Sequence, residues 1–221
     1  MNIQRMNVNI KFMENKVVII GSGIVGMTIA YQLLTRKLSK KILIIEKENF
    51  LGKHTSGRNS GVVHSGLYYK PDSLKAKVCV KGSKRLRRWV SDRNLYLNKC
   101  GKLILPTNEY LNNRIDELYD RGKKNGCNVE IWNLVKLKNK FPYVNLSCGR
   151  ALWSPDTSII SPKEILSTLF NELKVKNVEF LFNSEITSVN QTMNFIEINN
   201  NKKIYFDYLF NCAGLNADKV A

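Results

Sequence analysis

The chain has 221 residues, 43% hydrophobic, 10% aromatic and 24% charged, which is ordinary globular usage and excludes a disordered, collagen-like or mucin-like polypeptide. Thirty-five Lys and Arg against 18 Asp and Glu give a net charge of +17, a field that favours anionic small molecules, membrane surfaces or nucleic acid without choosing among them. The densest basic cluster, Lys81, Lys84, Arg85, Arg87 and Arg88, falls in a helical pattern with no zinc-finger spacing and no aromatic-rich RNA-binding signature, so the lysines are read as solvated surface and nucleic acid is not an expected partner.

The first residues, Met1 to Met13, carry basic and no acidic side chains, and residues 1–15 are read as a leader or the product of an early start codon. No apolar run approaches the ~18–20 residues of a membrane span, and no signal-peptide stretch opens the chain. The expected location is the cytoplasm, with peripheral attachment at the inner membrane as a second option. Cys79, Cys100, Cys127, Cys148 and Cys212 are far apart, odd in number and never spaced C-x-x-C, which argues against a disulfide framework or a metal site.

Lys16-Val-Val-Ile-Ile20 is an apolar run suited to a strand buried on both faces. It leads into Gly21-Ser22-Gly23-Ile24-Val25-Gly26, then a helical pattern from Met27 to Arg36, then a second apolar strand ending at Glu46. In such a β-α-β unit Gly21 allows the tight turn, Gly23 lets the backbone approach a pyrophosphate, and Gly26 lets helix and strand pack closely. Glu46, followed by Lys47, lies 20 residues beyond Gly26, where an acid accepts ribose hydroxyls and would repel a 2′-phosphate. An adenine dinucleotide is implied, and this unit alone leaves FAD and NAD both open.

A nicotinamide domain would continue into another helix and strand. Here the chain enters a loop, 50–71, rich in glycine and hydroxyl residues and holding both histidines, and long loops of this kind are commonly functional. The run His54-Thr-Ser-Gly-Arg-Asn-Ser-Gly-Val-Val-His64-Ser-Gly-Leu-Tyr-Tyr-Lys-Pro71, with Ser73-Leu-Lys-Ala-Lys-Val-Cys-Val80 and Cys100-Gly-Lys-Leu-Ile104, resembles the L-2-hydroxyglutarate oxidase/dehydrogenase family, FAD-dependent members of the D-amino-acid oxidase superfamily. The resemblance runs from about Lys16 to the last residue. Asn59-Ser-Gly-Val-Val-His64 also resembles the FAD-dependent glycerol-3-phosphate oxidases, whose matching histidine is regarded as the catalytic base.

The resemblance implies that Gly21, Ser22, Gly23, Ile24, Val25 and Gly26 hold the FAD pyrophosphate and that Glu46 and Lys47 meet the ribose. It places Thr55, Ser56, Asn59, Ser60, Gly61 and Val62 along the flavin, the backbone near Ile186 against the adenine, and Cys212, Ala213 and Gly214 at a second nucleotide contact. His64 then faces the substrate as a base. The implied reaction removes the hydroxyl proton of a small anionic 2-hydroxy acid and passes the α-hydrogen as hydride to the flavin, with oxygen or a membrane quinone as electron acceptor. His54 is expected to pack near the cofactor. Arg58 is either a carboxylate partner or a solvated charge, and the same holds for Lys75 and Lys77.

Further along, Asp72 is read as the cap of a helix to about Asp92 with Leu74, Val78, Leu86, Trp89 and Val90 as its core stripe. Strands are expected at 100–105, 129–132, 178–181, 185–189, 194–198 and 204–210, the last two forming a hairpin about Asn199-Asn-Asn201. Helices are expected at 109–124 and from the capping box Ser161-Pro-Lys-Glu164 to about Lys174. The expected fold class is α/β: a Rossmann-like FAD-binding domain in two parts, 16–95 and 176–221, around part of a mixed-sheet substrate domain, 96–175. Ending in what reads as the opening turns of a helix, the chain is expected to be the N-terminal part of a longer enzyme and inactive alone, the rival readings being a glycerol-3-phosphate or amino-acid oxidase of the same superfamily, or a nucleotide-binding fragment without activity.

Overall fold

The computed structural model describes residues 15–144 and 149–221. The leader expectation and Cys148 lie outside the described residues. In chain order the elements are β1 (Lys16–Ile20), α1 (Ile24–Thr35), β2 (Lys41–Ile45), β3 (Val62–Val63), α2 (Leu74–Ser91), β4 (Leu97–Asn98), β5 (Lys102–Ile104), α3 (Asn113–Lys124), β6 (Glu130–Asn133), α4 (Leu134–Lys140), β7 (Arg150–Ser154), β8 (Ser158–Ile160), α5 (Pro162–Val175), β9 (Glu179–Leu181), β10 (Ile186–Asn190), β11 (Phe195–Ile198), β12 (Lys202–Tyr205), β13 (Tyr208–Asn211) and α6 (Ala217–Val220).

These gather into two compact units, one built from residues up to Asn59 together with Pro162–Ala221, the other from Ser60–Ser161. The contact boundaries thus fall at 59/60 and 161/162, where the sequence suggests 95/96 and 175/176. They fall there because α5 packs on α1, whereas α2 packs on β4.

In the first unit β13, β1, β2 and β9 form a parallel sheet in that order. Parallel strands covered on both faces need apolar residues in both alternating registers, which is what Val17 to Ile20 and Ile42 to Ile45 supply. Ile19 points at α1, meeting the Cα side of Gly26, while Val18 and Ile45 pack against Ile196, Ile198 and Ile204 of the antiparallel meander β10-β11-β12. The segment 204–210 is not one strand. β12 pairs antiparallel with β11, and β13 pairs parallel with β1. Phe206 and Asp207 carry the chain between the two sheets, and Asp207 is tied to Lys16 by its backbone amide and its carboxylate.

The second unit holds two three-stranded antiparallel sheets, β3-β8-β4 and β5-β7-β6. One core gathers Leu67, Ile115, Cys127, Val129 and Leu152, and another stacks Trp132 on Trp153 at 4.8 Å between ring centroids. The cap of α2 is Ser73, whose Oγ accepts from the Ala76 amide at 3.2 Å, and not Asp72, which is held at φ +63° in the preceding turn. The core stripe also differs. Ala76, Ser83 and Val90 are buried, whereas Leu74 is 77% and Val78 60% exposed, because the inward face is set by the 76, 83, 90 spacing of seven residues. Among the described residues no helix is long and apolar enough to cross a membrane.

Candidate functional site

In the first unit the carboxyl ends of the parallel strands bring together segments far apart in sequence, the edge at which open α/β sheets bind ligands. β1 ends in Gly21, whose φ of +101° suits glycine and whose added Cβ would strike the carbonyl oxygen of Cys212. The Cys212 amide donates to Ile20 O at 2.9 Å, and the Ala213 Cα stands 3.5 Å from that same Cβ position, so Cys212 and Ala213 lie against the glycine turn and Gly214 follows them in the chain. Burial pushes the Cys212 thiol pKa up, which keeps it protonated at neutral pH. At Gly26 an added Cβ would strike the Gly21 carbonyl and stand 3.2 Å from Ile19 Cγ2. This is the close helix-on-strand packing expected of that glycine.

Helix α1 opens at Gly23 with no side-chain cap of its own. Ser56, from the loop, fills part of that role, its Oγ accepting from the Ile24 amide at 3.1 Å. The next two amides, of Val25 and Gly26, precede the first intrahelical bond, Met27 N to Gly23 O, and have no acceptor among the described residues. Orphan amides at a helix start form a ready anion site. A Cβ on Gly23 would stand 3.0 Å from Ser56 Oγ.

Glu46 closes the group. Its Oε2 accepts from the Ser22 amide at 2.9 Å and from Ser22 Oγ at 2.8 Å, and its Oε1 accepts from the Glu48 amide at 3.1 Å. A carboxylate has about four acceptor sites; three are used here, which leaves Oε1 able to receive one ribose hydroxyl without rearrangement. The Glu46 backbone is fixed as well, its amide donating to Leu181 O and its carbonyl accepting from the Ser184 amide. The chain leading into Ile186 therefore runs beside Glu46. Lys47 is exposed. Glu46→Arg is expected to weaken FAD retention and to raise tolerance of a 2′-phosphate, read by cofactor titration.

In the loop, Asn59 Nδ2 donates to the carbonyls of Thr55 and Ser56 at 3.1 and 3.0 Å, stapling the turn that presents Ser56. Thr55 and Arg58 are exposed. His54 meets Glu48 at 2.9 Å, and Lys53 meets the same carboxylate at 3.0 Å, a cluster no sequence signal announces. Hydrogen bonds from His54 and Lys53 hold the Glu48 carboxyl below its ordinary 4.5. A lowered folded-state value stabilises in full above pH ~4.5 and is lost as pH falls through the folded value. Glu48→Gln should therefore lower the thermal midpoint slightly at neutral pH and match wild type in strong acid, as melts across pH would show.

Ser60, Gly61, Val62 and His64 belong to the second unit. The Gly61 carbonyl accepts from the Ile160 amide at 2.9 Å, Val62 pairs with Ile159 in β8, and Ser60 is exposed. The His64 side chain is exposed and its imidazole has no hydrogen-bond partner among the described residues.

Residues 16–221 match the FAD dependent oxidoreductase (DAO) family. The chain belongs to that family. Its cofactor is FAD, and the glycine turn, the orphan amides of α1 and the Glu46 carboxylate fit the diphosphate and ribose of such a group. The chain is 34% identical over 223 residues to the mitochondrial L-2-hydroxyglutarate dehydrogenase of Dictyostelium discoideum and 33% identical over 219 residues to that of Homo sapiens. Each match covers 93% of this chain but only 50% and 47% of those relatives, so the chain spans about half their length. Among solved structures it resembles the dithionite-reduced, FAD-bound L-alpha-glycerophosphate oxidase of Mycoplasma pneumoniae, with a TM-score of 0.78 and 26% identity over 94% of this chain and 56% of that one.

Proposed function

We propose that the whole protein oxidises a small L-2-hydroxy acid, L-2-hydroxyglutarate to 2-oxoglutarate, with FAD as cofactor. The observation that carries this reading is the gathering of Gly21–Gly26, Glu46, Ser56 and Cys212–Gly214 at one end of the parallel sheet in a chain about one-third identical to proteins named for that activity. FAD, when bound, accepts the hydride equivalent from the substrate carbon.

The chain's own residues divide the remaining tasks. The α1 amides of Val25 and Gly26 bind the diphosphate, Glu46 orients the ribose, and the 54–62 segment lines the flavin. His64 takes the hydroxyl proton on its imidazole, the side chain most often used as a general base. Electrons leave to oxygen or to a membrane quinone, and peroxide release against quinone reduction separates the two.

The test is anaerobic titration of flavin-loaded protein, following loss of flavin absorbance. L-2-hydroxyglutarate should bleach it and its D-enantiomer should not. The glycerophosphate oxidase likeness favours a second reading in which glycerol 3-phosphate bleaches the flavin and the hydroxy acid does not.

A further inference from the structure

The stretch after β3 leaves regular structure yet stays largely buried, since Ser65, Gly66 and Leu67 are buried while His64 is exposed. Carbonyls that no neighbouring strand pairs still need donors, and here side chains supply them one by one, the Ser65 and Gly66 carbonyls within the buried part of the stretch and the others at its exposed ends. The His64 carbonyl accepts from Cys79 Sγ at 3.7 Å and the Ser65 carbonyl from Cys127 Sγ at 3.2 Å. Asn125 Nδ2 donates to Gly66 O at 3.1 Å and Tyr69 O at 2.9 Å, and Arg121 Nη1 donates to Tyr68 O at 3.1 Å. Five carbonyls within six residues are held by four side chains. Three of these, Arg121, Asn125 and Cys127, come from the end of α3 and the turn after it.

We propose that Asn125 and Cys127 are positioning residues that hold the backbone of 64–69 so that the exposed His64 imidazole is presented from an immobile main chain. This rests on the reading of His64 as the base. The anchor is built into the core: Leu67 packs with Ile115, Cys127 and Val129, and Gly122 of α3 lets Val129 and Leu67 come close. Burial raises the pKa of both thiols, so they remain protonated donors at neutral pH. An exposed side chain on a fixed backbone needs little reorganisation to meet a substrate. Donors that only satisfied buried carbonyls would leave the state of the imidazole unaffected.

The chain has only two histidines, so proton–carbon NMR of the full chain gives one imidazole signal for each, assigned with His54→Gln. Wild type should show one narrow His64 ring signal and a protected Tyr69 amide, which donates to the Gly66 carbonyl inside the anchored stretch. Asn125→Ala, and Asn125→Asp as a variant of equal size, remove both donations. Protection of the Tyr69 amide should fall roughly tenfold or more as the turn that holds it opens more readily, and the His64 signal should split or broaden while His54 is unmoved. Cys127→Ala should act the same way, and Cys127→Ser, which keeps a donor, should restore the narrow signal. An unchanged His64 signal despite lost protection would overturn the proposal, and so would unchanged protection. Neither outcome touches the identity of the base, which His64→Ala tests separately by flavin reduction.

Discussion

Gly23→Val is expected to give a folded protein that carries no flavin absorbance after purification, whereas Gly26→Val is expected to fail at the earlier stage of folding. The two glycines stand three residues apart in one turn, and the structure separates their roles. A Cβ on Gly23 meets only the Ser56 hydroxyl, at 3.0 Å, and a serine side chain can rotate away. The larger valine then occupies the space before the Val25 and Gly26 amides, the place proposed for the diphosphate. At Gly26 the obstructing atoms are the Gly21 carbonyl and Ile19 Cγ2 of β1. Backbone cannot swing aside, so α1 must lift from the sheet, at a cost of at least the ~1–3 kcal/mol typical of overpacking. Chemical denaturation together with the flavin spectrum distinguishes the two variants. Flavin retained by Gly23→Val would remove the pyrophosphate assignment.

How far the sequence is legible follows the range of the interactions that decide each element. The β1-α1-β2 unit can be read because each part has a local signature: two short apolar runs, three glycines at fixed spacing and an acid at the second strand's end. The strand Arg150–Ser154 carries no such signature, since its apolar core is three residues long and its identity comes from pairing with β5 and β6 on either side. The α2 cap depends on backbone conformation. Ser73 lies in the extended region at φ −65°, ψ 150°, and Asp72 at φ +63°, a difference two adjacent capping-type residues do not disclose. The split of 204–210 turns on which partner each half finds, which is again non-local.

The site divides in the same way. Gly21, Gly23, Gly26 and Glu46 are legible as a motif, but the two hydrogen bonds from Ser22 to Glu46 span 24 residues and alter what the acid can still accept. The Asn125 contacts with the backbone of residues 66 and 69 span 59 and 56 residues. Asparagine at a helix end reads as ordinary capping chemistry, and nothing in its neighbours points to a distant loop.

His64→Ala is expected to leave the flavin spectrum and thermal stability of the loaded protein unchanged while slowing anaerobic flavin reduction by L-2-hydroxyglutarate ~10²–10⁴-fold, the range for losing a positioned general base. The structure supports the part of that expectation that concerns stability. The hydrogen bond given to His64 is accepted by its main-chain carbonyl, from Cys79, and alanine keeps that carbonyl. The imidazole is exposed, so its removal opens no cavity and strands no buried donor. A loss confined to rate would then reflect the missing proton acceptor and not a rearranged loop. An unchanged reduction rate would assign the proton to another group. Loss of flavin together with rate would make His64 a cofactor contact.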